Sequence, residues 1–186
     1  MADYSIRALT LHDMPVFKEL RLEMLREYPQ FCSKSYDDAL KETNHDWSLF
    51  FAQGWSQPFV AYDSTTYFGL ANISRMSKNT AKAVVELVYL RSHYQQKNLN
   101  SKKYLFSLLS HCANWAMRQG NLTTLAVSCR ISQKKTLSIL KKTILTYTSM
   151  NKATWADGTV DDMVWYETSL RGIHTPHQLL RRSMAV

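Results

Sequence analysis

One stretch constrains this chain more than any other. It is Ala83 to Gly120, AVVELVYLRSHYQQKNLNSKKYLFSLLSHCANWAMRQG. The run Ala83–Leu90 is apolar and rich in valine apart from Glu86, and reads as a strand. A polar loop rich in Gln and Asn follows. From Ser101 onward, Leu105, Leu108, Leu109, Cys112 and Trp115 recur at helical spacing, which predicts a helix with one face on a sheet. Gly120 suits the position just past its C-terminus. A strand that passes the chain through a loop onto a helix N-terminus gathers backbone N–H groups where an anion can sit.

The flanking elements build around this unit. Tyr4–Leu9 alternates enough to be a first strand. Asp13 is an N-cap, with Pro15 in the first turn of a helix that runs to Pro29. Phe17, Leu20 and Met24 supply its apolar face, and Lys18, Glu19, Arg21, Glu23 and Arg26 are assigned to the other. Asp37–Phe51 is predicted as one second helix, with Leu40, Trp47, Phe50 and Phe51 as its contacts. Tyr28–Tyr36 links the two over the surface, as a substrate entrance or as a plain connection. Pro58–Tyr62 and Tyr67–Ser74 flank the turn Asp63–Thr66 as a hairpin, and Gly69 marks a bulge. A second turn at Ser77–Thr80 brings in Ala83–Leu90, which makes a three-strand meander. Downstream come a strand at Leu122–Cys129 and a lysine-rich helix at Ser132–Lys142. The last strands are Leu145–Ala153 and Met163–Thr168, with a turn at Asp157-Gly158. The reading is a single domain over residues 1–170 and a basic C-terminal tail over 171–186.

Composition narrows the class. The chain has 186 residues, 45% apolar and 12% aromatic, enough to build a core. Its net charge of +8 favours anionic partners without choosing among them. Three widely spaced cysteines, Cys32, Cys112 and Cys129, argue against a disulfide framework and fit a reducing compartment. The opening MADYSIRALT lacks a secretory signal pattern, and no apolar run is long enough to span a membrane, so the expected location is cytoplasmic. His174 and His177 have helical spacing but no third ligand, so no metal site is predicted.

The element order and four local segments resemble the GNAT family of acetyl-CoA-dependent N-acetyltransferases over roughly Tyr4 to Leu170. The segments are IRALTLHDMPVFKELRLEMLREYPQFCSKSYDDAL, ELVYLRSHYQQKNLNSKKYLFSLLSHCANWA, SCRISQKKTLSILKK and DDMVWYETSL. The resemblance implies an α/β (α+β) fold: a central mixed, mostly antiparallel sheet of about six to seven strands flanked by helices. It implies acetyl-CoA as cosubstrate. It aligns Gln95, Gln96, Lys97, Asn98, Leu99, Asn100 and Ser101 with the loop whose backbone N–H groups hold the CoA pyrophosphate. Asn98 and Asn100 stand where the family has glycine, and asparagine is the next most tolerant residue of a left-handed backbone. Val88, Tyr89 and Leu90 align with the strand that pairs with the pantetheine arm, and Gln133 with an amide beside it. Leu140 stands where many members carry a tyrosine that protonates the CoA thiolate, and Ile144-Leu145 replaces a Gly-Phe pair.

For the chemistry, Glu86 is the candidate general base. A carboxylate inside an apolar strand needs a reason, and an ammonium must lose a proton before its nitrogen can attack. The alternative is a carboxylate facing solvent or paired with Arg75. Tyr147 is the candidate acid, against packing with a satisfied hydroxyl. His93 reads as a polar loop residue. The Lys134–Lys135 and Lys141–Lys142 pairs read as a solvated helix face, with the CoA nucleotide phosphate as the alternative. The implied activity is acetyl transfer to a primary amine of a small molecule or protein, in a ternary complex. The rival is a GNAT-fold binding or regulatory module without catalysis. Members of the family often dimerise, so a homodimer is expected. No dedicated motif supports nucleic-acid binding.

Overall fold

The computed structural model describes residues 4–52, 54–78, 80–96 and 100–171. Seven strands form one sheet: β1 (Ser5–Ala8), β2 (Ser56–Tyr62), β3 (Tyr67–Arg75), β4 (Lys82–Leu90), β5 (Thr124–Arg130), β6 (Thr146–Thr154) and β7 (Val160–Ser169). Their order is β1-β2-β3-β4-β5-β7-β6. Every neighbouring pair is antiparallel except β4 with β5. The mixed, mostly antiparallel sheet and the β2-β3-β4 meander are as the sequence predicts. The single parallel pair follows from connectivity: the helix over Asn100–Arg118 carries the chain back along the sheet, and such a crossover returns the next strand parallel.

Helices α1 (Met14–Glu27), α2 (Tyr36–Leu40) and α3 (Asn44–Ser48) cover one face. There Phe17, Leu20, Met24 and Trp47 pack with Val60, Leu70 and Tyr89 of the sheet. A short helix, α4 (Ser92–Gln96), precedes α5 (Asn100–Arg118), and α6 (Lys134–Leu140) follows β5. Leu108, Cys112, Ala113 and Ala116 of α5 meet Phe59, Phe68, Ile73 and Val85 on the opposite face. Strand alternation sends neighbours such as Phe59 and Val60 to different cores.

Several predicted boundaries are corrected. The single helix expected over Asp37–Phe51 is two short helices and a 3₁₀ turn at Leu49–Phe51. Thr43 adopts an extended backbone and caps α3, its hydroxyl accepting from the Asp46 N–H while the Asp46 carboxylate accepts from the Thr43 N–H. Ser35 caps α2 in a similar way. Part of the expected loop after β4 is helical, at Ser92–Gln96, and the lysine-rich helix is shortened to Lys134–Leu140. Residues 172–186, with His174 and His177, lie outside the described residues.

The bulge predicted at Gly69 is present: Ala61 pairs with Gly69 and Tyr62 with Tyr67, which leaves Phe68 as the extra residue. The glycine is required by close approach. A Cβ there would lie 2.7 Å from Leu90 Cδ2, 3.1 Å from Ala61 Cβ and 3.3 Å from Leu108 Cδ1. Gly69→Ala is therefore expected to cost about 1–3 kcal/mol as overpacking, read as a lower urea midpoint; an unchanged midpoint would refute the steric argument.

Candidate active site

The site grows from a break in the sheet. β4 and β5 pair only from Lys82 with Thr124 to Val85 with Val127. Beyond that register the β4 edge from Glu86 to Leu90 and the β5 edge from Ser128 to Arg130 are unpaired with each other. At the same place β4 bulges against β3: Asn72 pairs with Glu86, and two residues back along β3 Leu70 pairs with Tyr89, three residues on along β4. Leu87 sits in the bulge at φ +54°, the sole non-glycine residue with positive φ among the described residues. A bulky side chain in that region is a true outlier, of the kind that concentrates at functional sites.

The bulge turns Glu86 toward the face covered by α1–α3, where it borders an open cavity of about 570 Å³. Ser56, Asn72 and Ser74 form a polar floor beside it. The hydroxyl of Ser56 donates to Asn72 Oδ1 at 3.1 Å, and the Ser74 hydroxyl donates to Glu86 Oε1. Leu49, Phe50 and Trp55 give the cavity apolar walls, and Lys34, Asp38 and Glu42 give it charged ones. Three of the four buried polar or charged side chains among the described residues, Arg21, Ser56 and Asn72, gather on this side of the sheet. Polar groups are buried where they are paired or needed, so this concentration marks the site.

Fixed contacts frame it. Arg91, just past β4, donates to Glu23 of α1 at 2.8 Å, to Glu19 at 2.6 Å and to the Tyr67 carbonyl at 2.8 Å, which ties α1 to the end of the strand. Tyr94 of α4 stacks on Phe68 with centroids 4.0 Å apart and donates to Asp63 Oδ2 at 2.6 Å. Burial, and then the Asp63 carboxylate, push its hydroxyl up to about 12. Arg130, at the end of β5, donates to Asp161 at 2.8 Å, to Thr159 at 2.7 Å and to the Gln30 carbonyl at 2.8 Å. The Ala156 N–H donates to the Cys32 carbonyl at 2.8 Å. The segment after α1, open in sequence between entrance and connection, is thus fastened to the β6–β7 hairpin at the divergence of β4 and β5.

The other candidate residues are placed as follows. Val88 is half-exposed in the bulged part of β4, while Tyr89 and Leu90 are buried. Tyr89 donates to Glu27 Oε2 at 3.1 Å. Gln95 folds back so that its side-chain N–H donates to the Leu90 carbonyl. Gln96 closes α4, and Asn100 and Ser101 open α5; Lys97, Asn98 and Leu99 lie outside the described residues. Gln133 is the N-cap of α6. Tyr147 is exposed on the edge strand β6, edge-on to Tyr166, with β7 and β5 between its strand and β4. Arg75 is not the partner of Glu86, since it donates to the Gly54 carbonyl and to Asn121.

Sequence reasoning missed Arg21, and the structure corrects its assignment to the charged face. Its residue is only 6% exposed. Position 21 is four beyond Phe17 and one beyond Leu20, so helical geometry puts it on the buried face; its charge, not its spacing, misdirected the reading. Asn72 and Ser74 alternate with Ala71 and Ile73 and could have been found as a polar stripe in an apolar strand.

All three cysteines are buried and free. Burial pushes the Cys32 and Cys129 thiols from 9.0 up to about 11 each. The unfolded chain ionises first, so their contribution to stability is complete below pH 9 and is lost as pH rises toward about 11. Urea midpoints measured across that window should fall, and less steeply in Cys32→Ala; identical slopes would show that other groups control alkaline unfolding.

No family model matches the chain, and a search of curated proteins finds no match. Solved structures do match. A GNAT-family acetyltransferase from Streptococcus pneumoniae aligns with TM-score 0.73 at 15% identity, over 90% of this chain and 99% of its own. The ribosomal-protein-S5-alanine acetyltransferase from Vibrio fischeri aligns with TM-score 0.72 at 14% identity, over 92% and 96%. The spermidine N-acetyltransferase from Vibrio cholerae, in complex with CoA and spermine, aligns with TM-score 0.68 at 12% identity, over 90% and 95%. With its seven-stranded mixed sheet, diverging β4 and β5, and α5 crossover, the chain has the fold of the GNAT acetyltransferases.

Proposed function

We propose that this protein transfers an acetyl group from acetyl-CoA to a primary amine, which attacks the thioester directly in a ternary complex. The observation that carries this reading is the coincidence, within two residues of β4, of a strained bulge and a carboxylate at the cavity. Neighbours in fold that are acetyltransferases, one of them with CoA and spermine bound, support it.

The residues divide the work. Ser74 holds Glu86 Oε1, which leaves Oε2 to take the ammonium proton directly or through water. The unpaired edge of β4 from Glu86 to Leu90 fits a strand-like pairing with the pantetheine arm, and the bulged N–H near Val88 serves the thioester oxygen. Gln95 to Ser101, at the entrance to α5, is the stretch assigned to the pyrophosphate, with Gln133 beside the pantetheine. Tyr147 has no part in this scheme, because β5 and β7 intervene. Calorimetry with acetyl-CoA should show binding, and thiol release should follow with an amine from a broad panel. No heat and no thermal shift at millimolar acetyl-CoA would overturn the proposal.

One observation favours the rival module. Leu140, at the position of the family tyrosine, is 2% exposed and packed in the core, so it provides no hydroxyl for the leaving thiolate. CoA binding without thiol release across the panel would decide for it.

A further inference from the structure

Beside the cavity lies a cluster of buried polar atoms that nothing in the fold satisfies. Arg21 Nε and Nη1, Trp47 Nε1 and Glu42 Oε2 have no hydrogen-bond partner among the described residues. The guanidinium lies 5.1 Å from the Trp47 ring and 4.3 Å from the Phe50 ring, so the four atoms share one neighbourhood. Only Ser110 Oγ and Trp155 Nε1 are in the same condition elsewhere among the described residues. Folded proteins satisfy almost all such groups, and the N–H groups of a buried guanidinium are costly to leave without hydrogen bonds even when its charge is paired.

The geometry says what is missing. Arg21 Nη1 is 3.6 Å from Glu42 Oε2, beyond hydrogen-bonding distance, and Glu42 gives its other oxygen to Lys34. Three of the unpaired atoms are donors and one is an acceptor. A group that only accepts, and that carries negative charge, answers the three donors, and a carboxylate is such a group. Glu42 and Phe50 line the same cavity as Glu86. The cations that line the cavity are engaged: Lys34 with Glu42, Lys41 with Asp38 at 3.5 Å, and Arg75 with Gly54 and Asn121, while Arg21 lies behind Glu42 and Phe50. Arg21 is paired only with Glu42, at 3.6 Å, and its Nε and Nη1 lack a hydrogen bond; Glu86 keeps one carboxylate oxygen without one.

We infer that the acceptor is an amino acid, with its amine at Glu86 and its carboxylate admitted past Phe50 to Arg21. This rests on the acetyl-transfer reading for the fate of the amine, but the binding of the carboxylate does not depend on it. A polyamine finds no surplus of free carboxylates here, because Asp38 and Asp46 are held by Lys41 and the α3 cap, and Glu42 is shared by Lys34 and Arg21.

The test compares common amino acids with their C-terminal carboxamides as acceptors, following thiol release from acetyl-CoA. At least one acid should exceed its amide in kcat/KM by about 10- to 100-fold, the worth of a charge-assisted hydrogen bond. Arg21→Gln should abolish that preference, and Arg21→Lys should restore part of it. Amides equal to acids with the wild-type protein, or a preference that survives Arg21→Gln, would overturn the inference. If Arg21→Gln does not fold, the wild-type comparison decides by itself. Calorimetry of the same acids and amides with CoA present separates the two readings: acid-selective binding without thiol release sinks acetyl transfer and keeps the carboxylate site.

Discussion

Glu86→Gln is expected to lower kcat for acetyl transfer by about 10²- to 10⁴-fold at neutral pH, the usual contribution of a positioned general base. The substitution is nearly isosteric. Its carbonyl can still accept from the Ser74 hydroxyl, so the polar floor and the β4 bulge should persist. What it loses is the capacity to take a proton from the ammonium. KM for acetyl-CoA should not move, because the stretch assigned to the pyrophosphate lies beyond the end of β4. The deficit should shrink as pH approaches the pKa of the acceptor amine, where solvent supplies the neutral nucleophile. Activity within roughly threefold of wild type at neutral pH would remove Glu86 from the role of base.

Phe17→Ala is expected to give the largest loss of stability, about 3–5 kcal/mol. Phe17 is completely buried. Its ring contacts Trp47 edge-on at 6.1 Å, Phe50 at 4.9 Å and Phe51 edge-on at 5.4 Å. These aromatics join α1 to α3 and the following turn, and the same Trp47 and Phe50 flank Arg21. The side of the cavity formed by α3 should therefore loosen before the opposite core, where Leu108 and Cys112 pack independently. Denaturant melts measure the first effect and hydrogen exchange of the two faces the second. A loss below about 1 kcal/mol would mean that the aromatic cluster collapses into the space left behind.

The fold was legible because its signals are local and periodic. The apolar run of β4, the spacing of α5, the turn at Asp63–Thr66 and the glycine at the β3 bulge each point one way without long-range information. Where the reading failed, two local signals competed. In Asp37–Phe51 the apolar spacing outweighed the Thr43–Asp46 cap, and the cap won in the structure. In α1 the charge of Arg21 outweighed its position, and the position won.

The site was legible only as a strand with one anomalous carboxylate. That Glu86 interrupts an apolar strand is a property of the sequence, and so is the glutamine- and asparagine-rich loop ahead of α5. The sequence alone determined that a strand, a loop and a helix meet there, since hydrophobic period and turn chemistry act over a few residues. The tertiary structure decided the rest. It set the point at which β4 leaves β5, the left-handed backbone of Leu87, the floor of Ser56, Asn72 and Ser74, and the meeting of Arg21 with Glu42 and Trp47. Those features depend on strand register and on which helix face is turned inward. Contacts between residues tens of positions apart fix both, so no local pattern in the chain can specify them.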